Sequence, residues 1–316
     1  MAELSLMAVL DAQEGVTSRA QAVACIGDKG VRRRLEAGWQ TVFPGVYAAL
    51  RGPLSQEQRL WAAYLYAGEQ AMFTDRLVLE ACGVRFLPEE DPDQLHVLLP
   101  WELKRKPLSY LRVTRTRYLP EPQRLDAFPV APLDRALIDF GLRTRDDRIV
   151  LGVLADAVQR RKVTVGALEK VLRFAPKQGR GAPASAVEAL RAGIRSVPEQ
   201  DFRAIAGGVR TPPVLFNPLL KLPSGRLVSP DALIEECGLV HESNGRLAHE
   251  EDELFESMQE RHDVMTTAGL TVLHNPPRRL VNDPRLVRME WGQCARRLAG
   301  RGMPPGVVVV RRGPEG

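Results

Sequence analysis

Cysteine is scarce in this chain of 316 residues: Cys25, Cys82, Cys237 and Cys294 stand far apart, and no two form a CxxC pair. That spacing argues against a zinc ribbon and a disulfide framework and suits small buried thiols in a reducing cytoplasm. Long apolar runs are also lacking. No window of 18 residues is both apolar and uncharged, so neither a transmembrane helix nor a membrane partner is expected. The opening stretch carries Glu3, Asp11 and Glu14 where an export signal needs positive charge. No Gly-rich phosphate loop, Ser-His-Asp spacing or dinucleotide-binding fingerprint occurs. ATPase, serine-hydrolase and dehydrogenase chemistry therefore have no support.

The chain does have the composition of a soluble globular protein. Hydrophobic residues make up 44% and charged residues 26%, enough for real cores in two or three domains. Net charge is +5, a mild excess that permits a nucleic-acid partner. Its placement says more than its total. Residues 101 to 118 hold Lys104, Arg105, Lys106, Arg112, Arg115 and Arg117 against Glu102 alone. The stretch from Arg278 to Arg301 is rich in arginine, while "EEDELFESMQE", residues 250 to 260, is acidic. Each run could be a solvated face. Their segregation suggests a basic face and a separate acidic site.

Near the start, apolar positions at Leu6, Val9 and Leu10 predict a short helix ended by Gly15. Thr17 or Ser18 can cap the next helix, which stops at Gly27. A third runs from Asp28 to Gly38, with Val31 and Leu35 facing inward, Arg32 and Arg33 outward, and Arg34 nearer the boundary. "WQTVFPGVYAAL" then reads as a hairpin around Pro44-Gly45. Three short helices followed by a hairpin is the plan of a winged helix-turn-helix. Such a module puts one helix in the major groove and lays the wing on the backbone. Arg32, Arg33 and Arg34 would then contact DNA, and Arg51 would reach a neighbouring phosphate.

The stretches "GVTSRAQA", "VRRRLEAGWQTVFPGVYAAL" and "GPLSQEQRLWAAYLYAG", within residues 5 to 85, resemble the amino-terminal segment of the AbiEi-type antitoxin family of bacterial type IV toxin–antitoxin systems. The resemblance implies promoter DNA binding, autoregulation, and in some members neutralisation of a nucleotidyltransferase-type toxin.

Residues 53 to 85 read as helical, with Trp61 and Tyr64 in the core. "DQLHVLLP" and "LRVTRTRYLP" read as a two-strand element, with Arg115 and Arg117 on one side as a further DNA clamp. Residues 132 to 175 are helical, with Asp134, Asp139 and Asp156 as surface or capping groups. "PKQGRGAPAS", residues 176 to 185, reads as a linker. Beyond it a helix pair, three strands, a helix, a strand and a closing helix give an α/β sandwich with a mixed sheet. In that order Asp231 opens one strand, Glu242 ends the next, and Glu199 sits on the second helix. Carboxylates meeting there suit Mg²⁺ or Mn²⁺ as a cofactor, and His249 could move a proton. His96 and His274 read as packed, hydrogen-bonded groups, and His241 as facing the other side of the sheet.

A second resemblance covers about residues 190 to 300. "PD", "ESN", "NGRLAHE" and "RHDVMTTAGLTVL" resemble the very-short-patch-repair type of PD-(D/E)xK endonuclease domain. The resemblance assigns Asp231, Glu242 and Glu199 to the metal and His249 to the histidine after the glycine turn. Asn244 stands where the superfamily has lysine, and His262 where an acidic group is usual. The expected protein is an α+β or α/β multidomain chain. It has a winged helix-turn-helix over 1–52, a middle helical and β region over 53–175 and a nuclease-like domain over 186–316. Three roles stay open: a DNA-binding regulator with a non-cutting nuclease fold, a Mg²⁺-dependent DNA endonuclease, and a toxin-binding partner with little DNA affinity.

Overall fold

The computed structural model describes residues 5–89, 94–243 and 251–310, with 251–258 described as backbone only. The chain is mixed α+β, with twelve helices and four sheets among the described residues. It forms two compact units, residues 1–187 and 188–316.

The first unit opens with α1 (Leu6–Ala12), β1 (Val16–Ser18), α2 (Arg19–Ala37), β2 (Gln40–Phe43) and β3 (Val46–Ala48). Local chemistry sets each boundary. Ser18 Oγ accepts from the Gln21 N–H while Gln21 Oε1 accepts from the Ser18 N–H, a reciprocal cap that starts α2. Gly27 has φ 67° and ψ 169°, so α2 is two helical arms joined at a glycine kink. Gly45, at φ 76°, turns β2 into β3. The expected hairpin is present, and β1 adds a third strand in the order β1-β3-β2. Leu10, Ala22, Val31, Trp39 and Tyr47 form the shared core.

Next come α3 (Gln56–Ala67), β4 (Met72–Phe73), α4 (Arg76–Ala81), β5 (Leu95–Pro100), β6 (Leu111–Thr116), β7 (Gln123–Leu125) and β8 (Phe128–Val130). The expected pair β5 and β6 is parallel and forms one end of a five-stranded sheet, order β6-β5-β4-β8-β7. Phe43 of the hairpin packs on Tyr66 and Tyr110, which ties the two sheets' surroundings together. Trp61 and Tyr64 pack on Phe128.

Helices α5 (Leu133–Arg143), α6 (Asp147–Gln159) and α7 (Val165–Phe174) follow. Two of their acidic residues differ from expectation. Asp139 and Asp156 are buried. Asp139 accepts from Thr74 Oγ1 and Arg135, and Asp156 accepts from the Arg85 N–H. The apolar stripe of each helix hides these partners because they arrive from distant chain positions. Between α7 and α8 (Gly181–Arg191), Gly179 at φ 75° lies against the Leu142 carbonyl, where a Cβ would sit 2.2 Å from the oxygen. The division between the units falls within α8.

The second unit holds α9 (Val197–Gly207), β9 (Val214–Phe216), β10 (Leu220–Lys221), β11 (Leu227–Val228), β12 (Ala232–Ile234), β13 (Leu239–Glu242), α10 (Glu251–Thr267), β14 (Thr271–His274), α11 (Pro277–Asn282), α12 (Pro284–Arg297) and β15 (Val308–Val309). The three strands expected before residue 245 are five, because the chain leaves the strand at Asn217-Pro218 and again at Ser229-Pro230, where proline has no N–H for a ladder. The central sheet runs β14-β13-β12-β9, antiparallel except for the β13–β14 pair. Ala232, Ile234 and Leu239 point to one face, packed with Phe202 of α9, Leu280 of α11 and Trp291 of α12. Leu233 and Val240 point to the other, packed with Met265 of α10. Burying each of the larger side chains among these, Ile234, Leu239, Leu233 and Val240, contributes about 1.5–3 kcal/mol. The sheet is thus covered on both faces, and its strand ends are where polar groups can gather.

Candidate nucleic-acid interface and carboxylate site

Arg32, Arg33 and Arg34 lie on the second arm of α2, and all three are exposed. Val31 is buried on the opposite side and fixes that arm's rotation. Arg34, expected nearer the boundary, faces solvent like its neighbours. No described residue forms an ion pair or side-chain hydrogen bond with these three guanidiniums. The hairpin β2–β3 follows directly. Arg51, just beyond it, donates to the Glu36 carbonyl at 3.3 Å and so braces the end of α2.

Arg115 and Arg117 share a side, as expected, through a cause absent from the strand pattern. Both guanidiniums lie over the ring of Trp101, at 4.7 and 5.3 Å. Trp101 is 46% exposed. Arg105 and Arg59 pair with Tyr66 and Tyr110, the rings that pack on the hairpin. The basic segment 101–118 therefore adjoins the hairpin within the first unit.

In the second unit, Ala232 pairs with His241 and with Phe216. One residue back, Asp231 falls opposite Glu242 on one side and Asn217 on the other, and the Asn217 N–H donates to the Asp231 carbonyl at 3.1 Å. Glu242 in turn pairs with His274. Directly opposed residues share a sheet face. Asn217, Asp231, Glu242 and His274 therefore form one polar row across four strands, on the face covered by α10. Asp231 Oδ2 accepts from the Ser243 N–H and hydroxyl at 2.6 and 2.5 Å. Glu242 Oε1 accepts from Arg261 of α10 at 2.8 Å. His262 Nδ1 and His274 Nε2 are 2.7 Å apart and share a hydrogen bond. Glu199 joins the row's edge through Asn217 Nδ2 at 2.9 Å, and also accepts from the Arg195 N–H.

Burial sets the electrostatics of this row. It pushes Glu242 up to about 7; Arg261 opposes the rise and the Asp231 charge adds to it. Burial raises Glu199 as well, against the hydrogen bonds from Asn217 and Arg195. Burial, then the neighbouring His262 and Arg261, lower His274. The Nδ1 of His274 and the hydroxyl of Ser229 are buried with no protein partner among the described residues. Asn244 and His249 lie outside the described residues.

No protein-family model matches the chain, and no curated protein matches it. The site therefore has to be argued from its own chemistry. Among the described residues, no three His, Cys, Asp or Glu side chains gather closely enough to hold a metal ion. The oxygen donors that do face each other, Asp231 and Glu242, are of the kind a hard divalent cation takes. The buried His274 nitrogen without a partner lies in the same row. No helix among the described residues is long and apolar enough to cross a membrane.

Sequence reasoning missed Arg261, His262 paired with His274, and Ser243 as partners of the row. Their signal is weak because each depends on how α10 and β14 are packed. It placed His241 correctly on the far face. That ring stacks on Phe202 at 3.3 Å, and neither nitrogen has a partner among the described residues. Burial holds it down to about 3. The folded state thus resists protonating His241, and stability is lost as pH falls from 6.5 toward 3. His241→Leu is expected to stabilise the second unit by about 1–3 kcal/mol at neutral pH by removing unsatisfied buried nitrogens. Hydrogen exchange of the β13 amides measures it; faster exchange in the variant would contradict this.

Proposed function

We propose that the chain is a duplex-DNA-binding regulator of the AbiEi-antitoxin type, whose first unit carries a winged helix-turn-helix. One observation supports it most: three adjacent exposed arginines on the arm after the Gly27 kink, followed at once by a hairpin. Arginine forks match guanine O6 and N7 in the major groove and also clamp phosphates. The basic segment beside the hairpin, with Arg115 and Arg117 over Trp101, extends the same positive surface. A nucleotidyltransferase-type toxin as a protein partner belongs to the same reading. Mobility shifts on the duplex upstream of the protein's own gene, against a scrambled duplex, test this. Specific binding is expected to be about 10³-fold tighter or more. Equal binding to both would reject the regulator.

A second reading, a Mg²⁺- or Mn²⁺-dependent DNA endonuclease, is favoured by the register that sets Asp231 opposite Glu242. Those two would hold the cation, with Glu199 at the edge of the row. A cation so held lowers the pKa of a water and offsets charge on the phosphate. This chain's own groups would do the rest. Arg261 orients the Glu242 carboxylate, Ser243 fixes Asp231, and the His262–His274 pair holds a proton beside them. Incubating supercoiled plasmid with the protein and either metal tests it. Nicking abolished by Asp231→Ala would establish cleavage. An intact plasmid under both metals would leave the regulator alone.

A further inference from the structure

Away from the arginines of α2 and from the Asp231–Glu242 row, the first unit carries large aromatic rings on its surface. Trp101, Tyr118 and Phe174 are 46%, 55% and 52% exposed. One exposed ring needs no explanation, whereas several at one end of a sheet mark a contact surface. The strand order brings them there. β5 and β6 run parallel with Pro100 paired to Thr116, so both strands finish at the same end of the sheet. Trp101 leaves β5 at that end, and Arg117 and Tyr118 leave β6 beside it. The Tyr118 carbonyl accepts from Arg135 Nη1 of α5 at 3.0 Å. Its ring packs on Phe174, the last residue of α7, with centroids 4.4 Å apart.

The charge at this end is uncompensated. Lys104, Arg105, Lys106, Arg112, Arg115 and Arg117 stand against Glu102 alone within residues 101 to 118. Arg115 and Arg117 are exposed, and their side chains form no ion pair or hydrogen bond among the described residues. Both guanidiniums lie over the Trp101 ring instead. A guanidinium docked on an indole keeps its N–H donors for a phosphate and presents a planar group on which a base can stack. Rings interleaved with uncommitted guanidiniums select a ligand that repeats an anion and a π-face in every unit. A single nucleic-acid strand does so. A duplex offers this surface its phosphates only, because its bases are stacked on one another. An acidic peptide offers carboxylates without a regular series of rings.

We propose that this end of the sheet binds single-stranded nucleic acid, DNA or RNA. Trp101 is the principal stacking surface, Tyr118 and Phe174 form a second, and Arg115 and Arg117 hold the phosphates. The proposal does not rest on the reading of duplex DNA by α2.

Fluorescence anisotropy of the full chain with labelled oligo-dT of about a dozen nucleotides tests it, beside an abasic strand of equal length that keeps the phosphates. Saturable binding is expected, about tenfold or more tighter for the strand that carries bases. Oligo-U in parallel separates RNA from DNA, and binding of either supports the surface. Intrinsic fluorescence gives a second readout. Trp39 and Trp291 are buried and Trp61 packs on Phe128, so quenching by the strand should come from Trp101. It should vanish in Trp101→Phe, which keeps a stacking ring and the preference for bases. Trp101→Leu and Tyr118→Leu, both at exposed positions, should each cut that preference about fivefold or more. Either one that retains the wild-type melting temperature decides the matter. The chain with Arg32→Glu and Arg33→Glu should keep the preference, which separates this surface from the duplex interface. Four results would overturn it: no saturable binding of either strand, the abasic strand bound as tightly as oligo-dT, the preference unchanged in a folded Trp101→Leu, or polyglutamate displacing the strand as well as unlabelled oligo-dT does.

Discussion

A chain carrying Arg32→Glu and Arg33→Glu together is expected to bind its upstream duplex about 100-fold more weakly or worse. Each arginine that forks onto a base edge contributes about 1–3 kcal/mol of discrimination. Reversal also puts a negative charge against the phosphate backbone, so the losses add to repulsion. Folding should be untouched. Both side chains are exposed and bond no described residue, and the arm is anchored by Val31 from its opposite side. Anisotropy titrations at fixed salt, beside circular dichroism melts, give both numbers. An unchanged affinity in a folded variant would remove α2 from the DNA interface.

The second large effect concerns Glu242→Gln. The Glu242 carboxyl is 8% exposed and held up near 7 against an ordinary value of 4.5. Between those two values the folded state binds a proton that the unfolded state has released. Stability contributed by this group is therefore lost as pH rises from 4.5 through 7. The full shift corresponds to about 3 kcal/mol. Glutamine keeps an acceptor for Arg261 and does not titrate. The variant should match the wild type near pH 4.5 and exceed it by up to about 3 kcal/mol at pH 8, read from hydrogen exchange of the β13 amides. His241 titrates equally in both proteins, so it cancels from the difference. If the endonuclease reading holds, millimolar Mg²⁺ should shrink the gap by stabilising the ionised wild-type carboxylate. A gap independent of pH would show that the carboxyl titrates at its ordinary value.

Legibility followed the range of the interactions. Ser18 and Gly45 act on their immediate neighbours, and their roles could be read directly from the chain. The pairing of Asp231 with Glu242 was readable because a short turn joins their strands and fixes the register. Asp139 and Asp156 were misjudged because their partners, Thr74 and Arg85, come from 65 and 71 positions away. The parallel pairing of β5 with β6 was equally hidden, since parallel strands need a connection too long for hairpin logic.

The central claim is that Arg32, Arg33 and Arg34 read duplex DNA through the major groove. Methylation interference on the upstream duplex tests it most directly, because dimethyl sulfate blocks guanine N7 in that groove. The account predicts that methylation at guanines clustered within about one helical turn abolishes wild-type binding. Binding indifferent to N7 methylation along the whole duplex would contradict it.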